Sequence, residues 1–348
     1  MQKSQLTFEG QRITARFVDP AGQPVERVIE IRIHPISGRT CRIAFSRANE
    51  KDIGNETLPE APPDRNDRVS CPFCRPQVVT QTPRIDPLLA PEGRLVQGES
   101  ILFPNLYPYG SYSAVSLIDD AHFVEIGTAS ASTYTDSFIN CGNYLRRIRG
   151  HDPPAVYTAI TQNHLPSAGG SLLHPHLQIN ADRFPPNYHR FLQAQADRFY
   201  RLSGHCLFSS YLKHEKTDGK RYIGRTGNWE WISAFAPEGF YEVWGILPGE
   251  CSLVNLRQED WLYLSEGLLN IHRYYRSLGR NGYNLGILSV EEPDSRLELR
   301  TVILARSNHA CWVRSDHTGY EVMLGDMTTF SSPEQTATDA RPFFNDQG

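Results

Sequence analysis

Pro175 constrains the fold of this chain more than any other residue. It stands between two histidines in the run Gly169-Gly170-Ser171-Leu172-Leu173-His174-Pro175-His176-Leu177-Gln178-Ile179. Proline has no backbone N–H, so a strand through this run must lie at a sheet edge or begin at the proline. In an extended segment, residues i, i+2 and i+4 share a face. His174, His176 and Gln178 then line up, and Leu177 and Ile179 point the other way. The glycines ahead of the strand let backbone N–H groups approach an anion. A row of polar side chains beside such a turn suits phosphate chemistry. The competing reading is a strand carrying two buried, satisfied histidines, and the small-residue loop weighs against it.

The chain has 348 residues, enough for two ordinary domains or one large duplicated one. Its formal charge of −4 argues against non-specific nucleic-acid binding. No apolar run approaches the roughly 18 residues that would suggest a membrane span. The N-terminal residues lack the apolar core of a secretion signal. The expectation is a soluble cytoplasmic protein without nucleic-acid or membrane partners. Seven cysteines, an odd number, argue against a secreted disulfide framework.

Only Cys71 and Cys74 are spaced as a pair. A C-x-x-C is either a redox couple at a helix start or half of a metal site. Here a charged, proline-rich loop (49–69) precedes it and Arg75-Pro76 follows, which favours a metal-binding turn. Zinc takes about four nitrogen or sulfur ligands in a tetrahedron. His122, after one predicted strand, and His174, before another, are the histidines that would complete the set. Four protein ligands would close the site and make it structural.

Alternation at 1–33, broken by Pro20-Ala21-Gly22-Gln23-Pro24, predicts a hairpin. Short strands are expected at 41–45, 100–103, 113–118 and 155–161, with a loop from Gln162 to Gly170. Apolar spacing of three and four predicts helices over 133–149, 187–203 and 258–278. Strands at 229–235, 240–247, 283–290 and 297–304 complete a second half that repeats the first. The pattern indicates internal duplication of an α+β unit.

With His174 given to the metal, His176 remains. A neutral imidazole, of ordinary pKa about 6.5, can attack phosphorus and divide one transfer into two displacements. Gln178 could donate to a phosphoryl oxygen without titrating, and Asn163 with the Gly170-Ser171 turn offers further donors. Arg47, at a strand end, could clamp a phosphate.

These residues resemble the galactose-1-phosphate uridylyltransferase branch of the histidine-triad superfamily. His34-Pro35-Ile36-Ser37-Gly38 with Ala44-Phe45-Ser46-Arg47-Ala48 is similar to the family's D-P-L-T-G … A-P-x-R-A. Cys71-Pro72-Phe73-Cys74 matches its C-x-x-C, and Phe103 to Pro108 its F-x-N-x-[FY]-P. Gln162-Asn163-His164 and Gly170 to Gln178 resemble E-N-x … G-x-S-x-x-H-P-H-x-Q. Asp119-Asp120-Ala121-His122 matches [ST]-P-x-H at the histidine alone.

The resemblance implies an α+β fold of duplicated histidine-triad-like domains, with antiparallel sheets and flanking helices. Residues 1–33 would be an N-terminal strand extension, 34–205 the first repeat with zinc and nucleophile, and 206–348 a second, degenerate repeat. Cys71, Cys74, His122 and His174 would bind structural Zn2+. His176 would be the nucleophile, with Gln178, Asn163, Gly170 and Ser171 holding the phosphoryl group. Arg47 would face the substrate phosphates, and Asn105 the ribose or base.

The implied partners are a nucleotide sugar and a sugar phosphate, with a homodimer as the candidate assembly. The implied reaction moves a nucleoside monophosphate to a sugar 1-phosphate or phosphate. A nucleotide-sugar phosphorylase or hydrolase, and a non-catalytic nucleotide-binding protein, are the alternatives. Where relatives carry H-x-H before the closing arginine strand, this chain has Glu298 and Arg300, or Leu297 and Leu299 if the register shifts by one.

Overall fold

A computed structural model describes residues 5–44, 61–306, 308 and 323–345. The strands are β1 (Glu9–Val18), β2 (Pro24–Ile33), β3 (Thr40–Ala44), β4 (Leu95–Gln97), β5 (Ser100–Pro104), β6 (Tyr112–Leu117), β7 (Tyr157–His164), β8 (His176–Asp182), β9 (Tyr222–Thr226), β10 (Trp229–Ser233), β11 (Phe240–Leu247), β12 (Tyr283–Val290), β13 (Leu299–Ala305) and β14 (Met327–Thr329). The helices are α1 (Gln77–Gln81), α2 (Ala131–His151), α3 (Asn187–Ser203), α4 (Leu207–Asp218), α5 (Gln258–Ser277), α6 (Pro333–Ala340) and α7 (Pro342–Asn345). No helix among the described residues is long and apolar enough to cross a membrane.

Ten strands form one antiparallel sheet in the order β4-β5-β6-β8-β7-β12-β13-β11-β10-β9. Read outward-in, its two halves are the same. Three meandering strands come first, then a long helix, then a hairpin whose second strand inserts beside the third. In the first half β8 lies between β6 and β7, and in the second β13 lies between β11 and β12. β7 and β12 pair antiparallel at the centre, from Tyr157↔Val290 to His164↔Tyr283. A smaller sheet, β1-β2-β3-β14, draws on β3 and β14 as well as the N-terminal hairpin. It is therefore not confined to residues 1–33.

β8 begins at His176, immediately after Pro175, and then runs in the middle of the sheet. The proline thus marks a strand start rather than an edge, and its carbonyl still accepts the Ile118 N–H at 3.1 Å. β7 extends to His164, so Asn163 lies in a strand where the sequence suggests a loop. Its pairing with β12, a strand distant in sequence, is what keeps Gln162 to His164 extended. Helices α1, α4, α6 and α7 and the short strands β4, β9 and β14 carry no strong local signal in the sequence.

One face of the sheet is covered by α2 and α5. Leu177, Ile179, Ile160, Leu285, Ile287, Val243 and Ile303 meet Phe138, Leu145, Ile148, Leu264, Leu268 and Ile271 there. Burying each such side chain contributes about 1.5–3 kcal/mol. The two helices pack against each other through stacked rings, Phe138 on Trp261, with centroids 5.5 Å apart. α2 starts where Ser130 accepts the Thr133 N–H and carries Arg149 and His151 in its last turn, suiting its dipole. α5 starts with Asp260 accepting the Arg257 N–H at 2.8 Å. Alternate residues of the same strands leave His176 and Gln178 on the opposite face.

Gly267 lets α5 lie directly on the sheet, since a Cβ there would overlap the fully buried Trp231 indole. Gly267→Ala is expected to lower unfolding free energy by about 1–3 kcal/mol through overpacking. Denaturant unfolding would check this, with unchanged stability as the contrary result.

Candidate metal centre and active site

Four segments far apart in sequence converge on one point. Cys71 to Cys74 form a turn closed by the Cys74 N–H donating to the Cys71 carbonyl at 3.2 Å. His122 sits in the loop after β6, and His174 lies just before β8. The ligand atoms of Cys71, Cys74, His122 and His174 all lie within 4.8 Å of one another, and all four residues are buried. Nδ1 of His122 is 3.4 Å from Cys74 Sγ, and Nδ1 of His174 is 3.5 Å from it. A tetrahedral zinc with Zn–S about 2.3 Å and Zn–N about 2.0–2.1 Å requires S···N edges of about 3.6 Å. The donor set therefore fits such an ion in both chemistry and spacing.

Further hydrogen bonds aim these ligands. The Nε2–H of His174 donates to the Asp119 carbonyl at 3.1 Å, which leaves its Nδ1 lone pair directed at the cluster. Asp120, next along the same loop, receives Arg68 at 2.8 Å and Arg75 at 3.4 Å. Those contacts tie the His122 loop to the cysteine turn. Without a cation, burial pushes the Cys74 thiol up to about 12, with the neighbouring Cys71 adding to the effect. Metal binding here must displace thiol protons.

His176 is built on this knot. Its Nδ1–H donates to the carbonyl of His174 at 2.8 Å. That bond selects the tautomer with the lone pair on Nε2. Burial lowers the pKa of His176, and the His174 carbonyl bond opposes this in part. The ring is therefore neutral near pH 7. Phe73, between the two cysteines, meets His176 edge-on at 5.3 Å and Phe103 at 5.2 Å. The cysteine turn and its histidines thus position the His176 ring both through the His174 backbone and through an aromatic wall.

Gln178 shares the face of His176, half-buried, opposite Val115 on β6 and Thr161 on β7. Asn163 is held from the other half of the molecule. The amide of Asn284 on β12 donates to Asn163 Oδ1 at 2.7 Å and to the Ala168 carbonyl at 2.9 Å. Arg306 donates to Asn284 Oδ1 at 2.6 Å. A carbonyl can only accept and a guanidinium only donate, so the orientation of Asn284 is determined. Asn163 consequently presents oxygen to Asn284 and keeps its NH2 as an uncommitted donor. Sequence inspection missed Asn284 and Arg306 as supports, because only the β7–β12 pairing brings them here.

The glycine turn differs from expectation. The N–H groups of Ala168 and Gly170 donate to the Leu165 carbonyl, and that of Gly169 to the Pro166 carbonyl. Those donors are used within the turn and do not face an anion. Gly170 is needed for space instead, because a Cβ there would stand 2.8 Å from the Asn163 carbonyl oxygen. Leu165 holds φ +71°, a sparsely populated conformation that costs about 1–3 kcal/mol and recurs at functional sites. Ser171 is exposed at the end of this turn. Asn105 spends its side-chain oxygen on the Tyr107 N–H at 3.1 Å, shaping its own loop two strands from β8. Arg47 lies outside the described residues.

No family model matches the chain. A protein of Archaeoglobus fulgidus described as uncharacterized is 28% identical over 331 residues, spanning 93% of this chain and 95% of that one. Among solved structures, an ADP-glucose phosphorylase from Arabidopsis thaliana with bound ADP-glucose gives a TM-score of 0.68 at 19% identity, covering 90% of this chain and 98% of that one. A uridylyltransferase gives 0.65 at 20% identity, covering 91% and 99%. The α+β fold, with its large antiparallel sheet and flanking helices, is the one these galactose-1-phosphate uridylyltransferase-like proteins share.

Three buried histidines outside the cluster weigh on the acid response of the molecule. Burial lowers His34 and His164 to about 4, and His272 to about 3. Unfolded histidine titrates near 6.5, so between about pH 4 and 6.5 the unfolded chain binds more protons. Their contribution is complete above about 6.5 and is lost as pH falls toward 4. Glu215 and Glu242, raised to about 7 by burial, act in the opposite sense between about 4.5 and 7. The three large histidine shifts exceed the two large glutamate shifts, so unfolding free energy is expected to decline from pH 6.5 to 4.5. Urea titrations across that range check the sign, and rising stability on acidification would contradict it.

Proposed function

We propose that this chain is a nucleotidyltransferase, acting on a nucleotide sugar through a covalent intermediate on Nε2 of His176. The observation that carries this reading is the 2.8 Å bond from His176 Nδ1–H to the His174 carbonyl. It leaves Nε2 as the free lone pair. It also supplies a dipole that stabilises the positive charge the ring acquires once Nε2 bonds phosphorus. In the first displacement Nε2 attacks the α-phosphorus of the donor. The P–O bond to the sugar 1-phosphate breaks, and that group leaves with the electron pair. In the second, a phosphate oxygen of the acceptor attacks the same phosphorus and the P–N bond breaks, regenerating neutral His176.

Charge on the transferred group rests on its non-bridging oxygens. Asn163 NH2, oriented through Asn284, and the Gln178 amide on the nucleophile's face are the donors that would meet it. Neither titrates, so neither competes with His176 for protons. Cys71, Cys74, His122 and His174 would hold Zn2+. That ion would have no open coordination position and would act by fixing the His174–His176 backbone. The resident nucleotide sugar of the phosphorylase neighbour and the name of the uridylyltransferase support a nucleotide sugar as donor. The acceptor is a sugar 1-phosphate or inorganic phosphate.

Incubation with radiolabelled uridine, adenosine and guanosine diphosphate sugars is expected to leave an acid-labile nucleotidyl adduct on the wild-type protein with one of the three. His176→Ala should form none and lose at least about 10⁴-fold in turnover, the scale set by loss of a covalent nucleophile. Absence of an adduct with all three donors would overturn the proposal. Product analysis with each acceptor separates exchange from phosphorolysis. Asn163→Ala should lower kcat by about 10²–10³-fold, as removal of a positioned donor does. Metal analysis is expected to give about one zinc per chain, and Cys74→Ser should lower both zinc content and Tm. An unchanged Tm in that variant would count against a structural metal.

A further inference from the structure

On the same sheet face as His176, but in the second half, lies a cavity of about 280 Å³. Its floor is Gly286 and Leu288 of β12 with Arg300, Val302 and Leu304 of β13, and α3 and α4 roof it with Tyr188, Leu192 and Phe208. β13 holds in this half the topological place that β8 holds in the first. Arg300 faces the cavity and is only 6% exposed. Its guanidinium carbon lies 4.1 Å from the centre of the Trp244 ring and 4.8 Å from that of Phe208. Its hydrogen bond among the described residues is to the Tyr188 hydroxyl, at 3.3 Å.

Beyond that bond its N–H donors meet no acceptor among the described residues, yet none of its unpartnered nitrogens is fully enclosed, so they open on accessible space beside the cavity. The nearby carboxylates direct their hydrogen bonds elsewhere, although Glu242 feels the Arg300 charge. Glu242 takes the Glu238 N–H at 2.6 Å and the Trp244 indole N–H at 2.5 Å. Glu298 takes the N–H groups of Ser209 at 2.7 Å and Gly249 at 2.9 Å. Glu238 accepts from the Tyr188 hydroxyl at 3.4 Å and pairs with Arg39. No carboxylate among the described residues forms an ion pair with Arg300. These three glutamates line the cavity together with Arg300, and apart from the Tyr188 hydroxyl the rest of the lining is apolar.

We propose that this cavity binds a small organic carboxylate, its head on the planar fork of Arg300 and its apolar body against Leu192, Leu288, Val302 and Leu304. The flat guanidinium suits a bidentate carboxylate. The glutamates around the wall disfavour a dianion such as phosphate. The site is separate from the nucleophile and does not depend on the nucleotidyl-transfer reading.

Gly286 supplies a variant that blocks the cavity without touching the arginine, because a Cβ there would meet nothing within 4 Å. Isothermal titration of the full-length protein with hexanoate should saturate, while hexan-1-ol and inorganic phosphate should not. Arg300→Met should weaken hexanoate binding by roughly 10- to 100-fold, as expected for lost charge-assisted hydrogen bonds. Gly286→Val should abolish it while leaving the unliganded Tm near wild type, and this variant decides the question if Arg300→Met does not fold. His176→Ala should bind hexanoate as the wild type does. Absence of saturable binding would overturn the proposal, and so would preference for phosphate or wild-type affinity in Gly286→Val. Loss of binding in His176→Ala would place the carboxylate in the nucleotide site instead and would equally overturn it.

Discussion

The antiparallel pairing of β7 with β12 is the contact on which the rest depends. Each half alone would be a five-stranded sheet ending in a long apolar strand with an unpaired edge. Such an edge is exposed to aggregation and cannot be buried without leaving backbone groups unsatisfied. Pairing from Tyr157↔Val290 to His164↔Tyr283 removes both edges at once. It sets Ile160 against Ile287 in the core and brings the Tyr134 and Tyr283 hydroxyls within 2.7 Å beneath it. It also places Asn163 opposite Asn284, so a residue of the second half orients a donor in the first-half site.

The first-half site couples the Cys2His2 cluster to His176 through a short path. His174 belongs to the cluster by its ring and to His176 by its carbonyl. Phe73 lies in the cysteine turn and stands against the His176 ring. Disturbing the cluster therefore moves both the bond that sets the tautomer and the wall that limits ring rotation. Gln178, on the same face, and Asn163 carry amides, which do not titrate.

The two halves share a strand order but not a chemistry. In the second half Glu298 stands just before the strand equivalent to β8, and Leu299 and Arg300 begin that strand. Glu298 is absorbed by backbone and hydroxyl donors, whereas Arg300 lies over Trp244 and faces a cavity. Duplication supplied the same sheet face twice. The side chains on it have since taken different roles.

Much of this was legible in residue order. Helices 187–203 and 258–277 follow from spacings of three and four, because one helical face must be apolar to pack. The cysteine pair, His174 and His176 declared themselves through local motif chemistry. Pro175 allowed two placements, and only the finished sheet selected a strand start over an edge. The convergence of Cys71, Cys74, His122 and His174 needed loops from distant segments to meet, which no local pattern encodes. The glycine turn read as an anion cradle in sequence, but its N–H groups close on Leu165 and Pro166 once folded. The chain order thus singled out the cysteine pair and the two histidines of the His174-Pro175-His176 run. Tertiary pairing decided which atoms of those residues are left free, because a hydrogen bond made to one side of a side chain settles what the other side can do.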